Sequence, residues 1–366
     1  MTFESDKAFG AVISKLINKT DLSREEAKEA FSTVLKNETT EMQQGAFLTA
    51  LVAKGEIKEE VAAGWEAIYD FDTEKVSIDD AYQLVENSGT GMDTFKTFNI
   101  STAASLIAAS DGIKMARHGA RAITSVCGTV DMAEALGVDV ECDAQLVADS
   151  IRKAGVGLFN GMSPKIHPMA LGRILSSIFF GSTLNIAASL ANPALPKLAV
   201  RGVYSKALIR PVAEVMKEIG YQRAIVLYGS INDSEKGMDE VSICGKTFCA
   251  ELFENGEISE YTIDPTDYDL TIFPPESIAP SASLPEEVKK FVTLLKGMEE
   301  GPRETAAYLN AGLIFYIAGK ADTIKEGVEK AKKVLFSGAP YKTLEKWVEC
   351  QNRNPEAGLK KLAEIS

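Results

Sequence analysis

Cysteine is scarce in this sequence, and its spacing excludes two classes of site. The five cysteines are odd in number, and no two of them have the CxxC spacing of a metal or redox motif. They have largely apolar neighbours and lie at Cys127, Cys142, Cys244, Cys249 and Cys350. A disulfide framework needs paired cysteines, and a structural zinc site needs closely spaced ones. The sequence therefore predicts neither.

Long apolar runs and clustered positive charge are also lacking. No apolar stretch reaches about 18 residues without a charge, which argues against a membrane-spanning helix, and the first residues, MTFESD, lack the basic start of a signal peptide. The 52 acidic residues outnumber the 39 basic ones, giving a net charge of −13. Such a chain repels nucleic acid unless a local basic patch outweighs the total. We expect a cytoplasmic protein that binds neither nucleic acid nor membrane.

A group of glycine-bearing loops lies between Glu86 and Asp131. The first loop is SGTGMD, residues 88–93, in which two glycines flank a threonine. The glycines let the backbone turn tightly, so that successive N–H groups are free to point at one anion. NIST, residues 99–102, precedes a run of small residues typical of a buried helix, and the unpaired donors at a helix N-terminus attract phosphate. The two segments together predict a phosphate site.

Two further loops follow in the same stretch. RHGAR, residues 117–121, comes after a predicted strand at 112–116 and brings two arginines and a glycine. SVCGTVD, residues 125–131, supplies hydroxyl groups before a helix predicted to begin near Met132. Ordinary turns of an α/β domain also contain glycines and helix caps, so each loop alone is weak evidence. Four such segments within one window indicate a phosphorylated substrate.

The fold class predicted from the pattern is α/β, preceded by a small all-helical N-terminal domain. Residues up to about 70 show apolar positions at helical spacing, capping boxes at Ser23 and Thr40, and a helix stop at Gly55. Strands then alternate with helices, which favours a mostly parallel central sheet flanked by helices. The predicted strands after the first glycine loop span residues 112–116, 156–159, 200–204 and 223–228.

Domain boundaries follow from the same pattern. Residues 1–72 are predicted to form the helical domain, joined by helices within about 163–193, and residues 73–366 the α/β domain that binds the phosphorylated substrate. The 163–193 segment is expected to form one wall of a cleft. Small helical domains often bury a remaining apolar face between subunits. We therefore expect a homodimer formed through the N-terminal helices.

Two adjacent carboxylates, Asp239 and Glu240, follow the predicted strand that ends near Gly229. Neighbouring side chains of an extended chain point to opposite sides, so the pair is expected to hold two ions, or one ion and a water network, rather than chelate one ion together. Mg²⁺ takes oxygen ligands and bridges carboxylate to phosphate. From composition alone, a solvated turn is the commoner interpretation of such a segment.

Seven segments, in order and at similar intervals, resemble the anthranilate phosphoribosyltransferase family: SGTGMDTFKTFNISTA, ARHGAR, CGTVDMAEALG, GLFNGMSPKIHPM, NIAASLANP, RGVYS and GMDEVS. That family shares its fold with the pyrimidine nucleoside phosphorylases. The resemblance extends to about Trp347. It implies a glycosyltransferase that moves phosphoribosyl from 5-phosphoribosyl 1-diphosphate (PRPP) to the nitrogen of an aromatic amine or nitrogen heterocycle, anthranilate or an analogue, and releases diphosphate. It also implies a dimer through the helical domain and a place in tryptophan biosynthesis.

The resemblance further implies which residues bind the donor and the metal. Two Mg²⁺ ions would be held by Asp239, Glu240 and Ser101, and would neutralise the leaving diphosphate. The donor would be bound by residues from all the loops: Gly89, Thr90, Gly91, Asp93, Asn99, Ser101, Thr102, Arg117, Gly119, Cys127 and Thr129. Arg117 stands where the family has lysine, which keeps the charge but alters its geometry. No side chain is assigned as catalytic, because an aromatic amine is already a neutral nucleophile at pH 7.

The acceptor side of the predicted site departs from the family. The implied acceptor positions are His118, Ala120, His167, Arg173 and Ser189. Ala120 replaces an asparagine that contacts anthranilate, and Ser189 replaces a proline that lines the acceptor channel. Leu175 stands at the position of the family's acceptor-binding arginine, which Arg173 fills only with a two-residue gap. Met92 replaces a donor-site glycine. Each lost polar contact costs about 1–3 kcal/mol, so we expect the choice of acceptor to change before donor binding is lost.

Two other functions stay open at this point. One is a nucleoside or nucleotide phosphorylase on the same architecture, and the other is a non-catalytic paralogue that binds nucleic acid. The retained carboxylate pair and the NIST segment favour the transferase over the phosphorylase. The net charge of −13 counts against nucleic acid.

Overall fold

The computed structural model describes residues 3–79, 83–91, 93–121, 127–298 and 300–365. Four helices come first: α1 (Phe3–Ile17), α2 (Arg24–Leu35), α3 (Glu41–Lys54) and α4 (Lys58–Phe71). Local sequence sets their ends. The Ser23 hydroxyl accepts a hydrogen bond from the Glu26 amide, and the Glu26 carboxylate accepts one from the Ser23 amide, so this predicted capping box is confirmed. Thr40 caps α3 through the Gln43 amide, and Gly55 ends that helix at a φ of 86°.

The rest of the chain is built on an eight-stranded sheet. Its strands are β1 (Leu84–Gly89), β2 (Lys114–Gly119), β3 (Val156–Asn160), β4 (Leu198–Gly202), β5 (Arg223–Ser230), β6 (Gly237–Met238), β7 (Thr247–Leu252) and β8 (Ile258–Ile263). They lie in the order β3-β2-β1-β4-β5-β7-β8, and β6 pairs with β5. Strands β1 to β5 pair in parallel, whereas β6, β7 and β8 pair antiparallel. The predicted fold class, with its mostly parallel sheet, is confirmed.

Helices cover both faces of this sheet. The helices that follow β1 in the chain are α5 (Ile100–Ser110), α6 (Thr129–Ala135), α7 (Ala144–Ala154), α8 (Leu171–Ile178), α9 (Thr183–Leu190), α10 (Ile209–Glu218), α11 (Leu284–Lys296), α12 (Pro302–Ile317), α13 (Ile324–Leu335), α14 (Ala339–Cys350) and α15 (Pro355–Ile365), and not all of them contact the sheet. Val200 and Ile225 pack in one core cluster with α5, while their neighbours Ala199 and Ala224 pack in another with α10. Burial on both faces explains why these strands are almost wholly apolar. Among the described residues, no helix combines the length and the apolar character that crossing a bilayer requires.

The order of the strands places a crevice beside β1. The chain runs outward from β1 to β2 and β3, and then returns to the other side of β1 as β4. In open α/β sheets, ligands bind beyond the carboxyl ends of the strands at such a reversal. Gly89 and Gly202 end the two strands and are direct register partners.

The helices α8 and α9 pack with the N-terminal helices. Their apolar residues, including Leu171, Ile174 and Leu184, share one core cluster with α1 to α4. Helix α4 also touches the α/β part, because Val61 and Ala62 pack with α10. The domain boundary between residues 72 and 73 stays a prediction.

Several predicted element ends are wrong. Strand β2 runs from Lys114 to Gly119 instead of 112–116, because it pairs with β3 along its length, Arg117 opposite Leu158. Arg117, His118 and Gly119 are therefore strand residues and not loop residues. Strand β4 ends at Gly202, before the predicted 204. Helix α6 begins at Thr129, ahead of the predicted start near Met132.

The C-terminal helices are fixed to the edge strand β3 by one side chain. Gln351, which follows α14, is fully buried. Its side-chain oxygen accepts a hydrogen bond from the Leu158 amide at 2.9 Å, and its side-chain nitrogen donates to the Leu158 carbonyl at 2.9 Å. The Trp347 indole donates to the same oxygen.

Candidate active site

Asp239 lies directly over the ends of β1 and β4. A Cβ atom added to Gly89 would stand 2.0 Å from the Asp239 carboxylate, and one added to Gly202 would stand 1.7 Å from the Asp239 carbonyl oxygen. Neither strand end therefore has room for a side chain. The two glycines are required here for close approach of the segment after β6.

Asp239 converges with two other carboxylates. Asp93, Asp239 and Glu240 each offer one oxygen, and these oxygens all lie within 4.8 Å of one another. Strand β6 ends at Met238, and the chain bends immediately after it, so Asp239 and Glu240 do not point to opposite sides as an extended chain would make them. The prediction of a diverging pair is wrong. Asp93, predicted only as a donor-binding residue, completes the cluster.

Burial and mutual repulsion raise the pKa values of two carboxyl groups in this cluster. Burial, followed by the charge of Asp239, raises the pKa of Glu240 well above its usual value and raises that of Asp93 to about 6. Lys96 offsets part of the charge through a 2.6 Å ion pair with Asp93, and the Thr97 hydroxyl donates to Glu240. Three oxygen ligands that resist joint ionisation fit a hard divalent cation, and Mg²⁺ is the common cation of this kind beside phosphates.

The first glycine loop supports Asp239 instead of presenting free amides. The Thr90 amide donates to the Gly202 carbonyl at 3.1 Å, and the Gly91 amide donates to the Asp239 carboxylate at 2.8 Å. The prediction that these N–H groups are free for an anion is wrong in this structure, because the carboxylate and the neighbouring strand already accept them. Met92 lies outside the described residues.

The start of α5 carries the second predicted cradle. Asn99 precedes the helix, and its buried side-chain oxygen has no hydrogen-bond partner among the described residues. Thr102 is buried, Ser101 is half-buried, and the Thr102 hydroxyl accepts a 2.8 Å hydrogen bond from Arg117. Arg117 is itself 2% exposed, and burial lowers its pKa to about 10. A fixed cation thus lies beneath the helix N-terminus, where both favour an anion.

The remaining predicted donor residues lie between the end of β2 and the start of α6. A Cβ on Gly119 would come within 3.3 Å of the Thr129 side chain, so these two residues are neighbours. Cys127 is buried, and burial raises the pKa of its thiol to about 12, which keeps it protonated. Arg121 forms ion pairs with Asp131, Glu134 and Glu141. Of the two arginines in the RHGAR segment, Arg121 is thus engaged by carboxylates of the chain itself.

The two histidines of the chain form a buried pair. The Nε2 atoms of His118 and His167 lie 3.2 Å apart, and His167 Nδ1 lies 2.5 Å from the Asp72 carbonyl oxygen, an acceptor. Burial lowers the pKa of His118 to about 3, with smaller contributions from His167 and Arg201, and burial also lowers that of His167. Both imidazoles are therefore neutral at pH 7.

Two buried charged residues that the sequence analysis did not select lie in the adjacent strands β4 and β1. Arg201 of β4 is 1% exposed and donates to the Ser88 hydroxyl at 2.6 Å, to the Ser189 carbonyl at 3.2 Å and to the Ser189 hydroxyl. Glu86 of β1 is also buried; it accepts hydrogen bonds from Tyr221 and Ser88, and burial raises its pKa. A charged residue within an otherwise apolar strand is the signal that identifies each of them.

The other predicted acceptor residues are dispersed. Arg173 of α8 donates to the Gln44 side chain at 2.8 Å and to the Val34 carbonyl at 2.9 Å, so it is engaged by α2 and α3. Ala120 is exposed just beyond β2. Ligand binding by these residues, and by those of the donor side, stays a prediction.

Comparison with known proteins identifies the family. A glycosyl transferase family helical bundle domain matches residues 11–71, and a glycosyl transferase family a/b domain matches residues 81–341. Anthranilate phosphoribosyltransferase of Methanothermobacter thermautotrophicus is 34% identical over 347 residues, which cover 93% of this chain and 97% of that protein.

Solved structures agree with this match. The crystal structure of anthranilate phosphoribosyltransferase from Thermus thermophilus superposes with a TM-score of 0.84 at 31% identity, covering 93% of this chain and 99% of that one. The Saccharomyces cerevisiae enzyme in complex with PRPP and Mg shares the fold, with a TM-score of 0.81 at 21% identity over 94% of this chain and 98% of that one. The resemblance inferred from the motifs is confirmed, and the chain belongs to the anthranilate phosphoribosyltransferase family.

Proposed function

We propose that the chain transfers the phosphoribosyl group of PRPP to the nitrogen of an aromatic amine, anthranilate or an analogue, in a Mg²⁺-dependent reaction that releases diphosphate. The observation that carries the proposal is the convergence of Asp93, Asp239 and Glu240 at the strand ends where β1 and β4 meet. The names of the relatives supply the donor and the reaction class. Oxygen ligands beside a helix N-terminus suit a metal–diphosphate complex.

The three carboxylates would hold two Mg²⁺ ions, with Ser101 as a further oxygen ligand. Bound Mg²⁺ neutralises the negative charge that develops on the leaving diphosphate. Asn99 and Thr102 at the start of α5 bind and orient the phosphate groups, and Arg117 contributes a fixed positive charge beneath them. Positioning of this kind is the main contribution that a protein makes to such a transfer.

The chemical step exchanges one bond at C1 of the ribose for another. The bond from C1 to the diphosphate oxygen breaks with its electron pair going to that oxygen, the bond from C1 to the amine nitrogen forms, and the amine gives up one proton to the departing diphosphate or to solvent water. His118 and His167 are neutral and border the acceptor without supplying charge. Because Ala120 and Ser189 replace family residues of the acceptor wall, we expect the preferred amine to differ from anthranilate while donor binding persists.

One series of measurements tests the proposal. Calorimetry of PRPP binding with Mg²⁺ comes first, followed by turnover assays with anthranilate, other aromatic amines and nucleobases. The variant Asp239→Ala/Glu240→Ala should remove Mg²⁺-dependent turnover and leave the circular dichroism spectrum unchanged. Glu235→Ala, which removes an exposed carboxylate from the loop before β6, is the matched control.

The outcomes separate the possibilities. Tight donor binding with poor anthranilate turnover supports a changed acceptor, whereas anthranilate turnover at roughly 1–10³ per second indicates the family's usual one. Turnover of the double variant at the parent rate contradicts the metal site. A protein that does not bind PRPP, but cleaves nucleosides with phosphate, is a phosphorylase.

A further inference from the structure

Two polar side chains lie beneath the start of α5. Val85 of β1 and Met115 of β2 are register partners, and both pack in the same core cluster as α5. Because alternate residues of a strand point to the same face, Asn87 and Arg117 also lie on this face, two residues nearer the carboxyl ends of their strands. Both side chains are buried. An otherwise apolar face is therefore polar where it meets the first turn of α5.

Asn87 fixes the main chain of that turn. Its side-chain nitrogen donates to the Ser101 carbonyl at 3.0 Å and to the Ser105 hydroxyl at 3.4 Å. The Ser105 hydroxyl donates in turn to the same Ser101 carbonyl at 2.7 Å. Helix formation itself supplies a carbonyl with one donor, the amide four residues further on. The additional donors therefore hold Ser101 more firmly than the helix alone requires.

Arg117 fixes the side chain of the next residue. Its Nη1 atom donates to the Thr102 hydroxyl at 2.8 Å, and its Nε atom donates to the Asn87 carbonyl at 3.3 Å. A guanidinium group is planar and donates in fixed directions, so the two hydrogen bonds together set the place of Thr102 relative to β1. The charge of Glu86 acts on this guanidinium and opposes the lowering of its pKa by burial. The network is thus a satisfied one that joins β1, β2 and α5.

The network ends at two residues of the predicted donor site. Ser101 is a predicted Mg²⁺ ligand, and Thr102 is a predicted donor-binding residue. Arg117 is almost wholly enclosed, whereas Ser101 is only half-buried. A ligand at the start of α5 therefore reaches Ser101 before it reaches the guanidinium.

We propose that Asn87 and Arg117 are positioning residues of the donor site, which hold Ser101 and Thr102 in place and do not themselves touch the donor. Hydrogen bonds behind a metal ligand contribute about 10- to 100-fold to metal affinity or activity, because they keep the ligand in its binding geometry. The proposal rests on the transferase function proposed above and deepens it. Arg117 acts through Thr102, and Asn87 enters the site although no motif indicated it.

The test measures donor and acceptor binding separately. Asn87→Val removes the side-chain amide at a strand position that suits a β-branched residue, and the Ser101 carbonyl keeps the Ser105 hydroxyl as a donor. The Kd for PRPP with Mg²⁺, measured by calorimetry, should rise roughly tenfold or more. The KM for anthranilate at saturating PRPP should change by less than about threefold, and the melting temperature by less than about 3 °C, as for loss of one hydrogen bond.

A double-mutant cycle tests the path from Arg117 through Thr102. Arg117→Met and Thr102→Val should each raise the Kd for PRPP. The double variant should exceed the larger single effect by less than about threefold, because both substitutions remove the same hydrogen bond. If Arg117 contacts a donor phosphate directly, the two fold-changes multiply instead.

Ser150→Ala is the matched control. The Ser150 hydroxyl is buried and donates to the Val156 carbonyl at 2.7 Å, where α7 packs against β3. Its removal also deletes one buried hydrogen bond from a side chain to a backbone carbonyl. It should leave the Kd for PRPP unchanged, whatever it does to the melting temperature.

Several results overturn the inference. Unchanged PRPP affinity in Asn87→Val does so, as does an equal loss of affinity in Ser150→Ala, and multiplying fold-changes in the cycle overturn it for Arg117. If Arg117→Met does not fold, Asn87→Val, which keeps every charge, still decides the matter. A wild-type protein that does not bind PRPP contradicts the proposed function. Binding of inorganic diphosphate with Mg²⁺ to the same variants then shows whether Asn87 positions the start of α5, and failure of both ligands to bind overturns both proposals.

Discussion

The residues of the carboxylate cluster repel one another more than Lys96 can offset. Asp93 illustrates the effect, because its pKa is raised from 3.8 to about 6 by burial and by Asp239. An acid with a raised pKa in the folded state adds stability below its unfolded pKa, and this stability is lost as the pH rises through the folded value. Near pH 7.5 the ionised group therefore destabilises the metal-free protein.

Asp93→Asn should weaken metal binding and make the metal-free protein more stable. We expect the variant to be more stable than the wild type by about 1–3 kcal/mol at pH 7.5 in a chelating buffer, because one of three crowded charges is gone. Adding Mg²⁺ should raise the melting temperature of the wild type and have little effect on the variant. Thermal unfolding with and without Mg²⁺ measures both. A Mg²⁺ response of wild-type size in Asp93→Asn would exclude Asp93 as a ligand.

The buried histidine pair makes the protein sensitive to acid. Both pKa values are lowered in the folded state, that of His118 to about 3, so the unfolded chain takes up protons below about pH 6.5 that the folded protein does not. Stability is thus present above that pH and is lost as the pH falls. His118 contributes a slope of about 1.4 kcal/mol per pH unit between about pH 6.5 and its folded pKa of about 3, and His167 adds to it in the same direction.

His118→Gln should flatten the pH dependence. Between pH 6.5 and 4.5, the free energy of unfolding of the variant should fall less steeply than that of the wild type, by about 1.4 kcal/mol per pH unit. Urea unfolding at several pH values measures the difference. The contributions of the carboxyl groups to the pH dependence are the same in both proteins and cancel in this difference. Parallel curves for the two proteins would show that His118 is protonated in the folded state as readily as in the unfolded chain.

Strands β1 and β4 both end in glycine, and Asp239 packs against these two ends because neither residue has a side chain. Gly89→Ala would place a methyl group 2.0 Å from the Asp239 carboxylate, which must then move away from Asp93 and Glu240. We expect the fold to persist and the Mg²⁺ affinity to fall at least roughly tenfold, as loss of one ligand position implies. The rise in melting temperature with Mg²⁺ concentration gives the affinity.

Gly45→Ala is the matched control for that substitution. Gly45 lies within α3 and has open space where a Cβ would stand. Alanine there should stabilise the helix by about 0.5–1 kcal/mol and leave the Mg²⁺ response unchanged. An unchanged Mg²⁺ affinity in Gly89→Ala would mean that Asp239 does not bind the metal from its present position.

The ends of helices and strands could be predicted where adjacent residues determine them. They could not be predicted where pairing with a strand distant in sequence determines them. The capping box at Ser23 and the stop at Gly55 depend on a few adjacent residues, and both were predictable. The end of β2 depends on pairing with β3, which is distant in sequence, so Arg117 and His118 could not be assigned to a strand. The antiparallel strands β7 and β8 break the alternation that predicted the parallel ones.

The same distinction applies to the candidate site. The sequence indicated the Asp239 and Glu240 pair, but its geometry depends on a bend after β6 and on two glycines from other strands. The hydrogen bonds that occupy the amides of the first loop come from Gly202 and Asp239, far along the chain. Arg201 opens the RGVYS segment, but its burial and its contacts with Ser88 and Ser189 depend on how β1 and α9 pack around it, which the sequence does not show.

In the molecule as a whole, the N-terminal helices expose apolar side chains that a second subunit could cover. Ile17 is 66% exposed and Met42 is 85% exposed, on helices α1 and α3 that pack together. We predict a homodimer through these helices, so light scattering at micromolar concentration should give twice the mass of the chain. Ile17→Glu/Met42→Glu should give the monomer mass, because burying the new charges is costly.

A control for the dimer lies in the α/β part. Ile272 is also exposed, at 40%, and Ile272→Glu should leave the mass unchanged. A wild-type protein that is monomeric at all concentrations would mean that the exposed residues of α1 and α3 meet only solvent.

The hydrogen bonds between Gln351 and Leu158 affect how readily the protein aggregates through the edge of its sheet. An outermost strand offers peptide groups to any chain that approaches it, which is a common route to edge-to-edge aggregation. The Gln351 side chain accepts from the Leu158 N–H and donates to its carbonyl, as the peptide group of a further strand would. The side-chain amide of Gln351 thus occupies the hydrogen-bonding groups of Leu158 with which a further strand would pair at the edge of β3. The C-terminal helices, remote from the cluster of carboxylates, therefore help to keep this sheet from growing by addition of other chains.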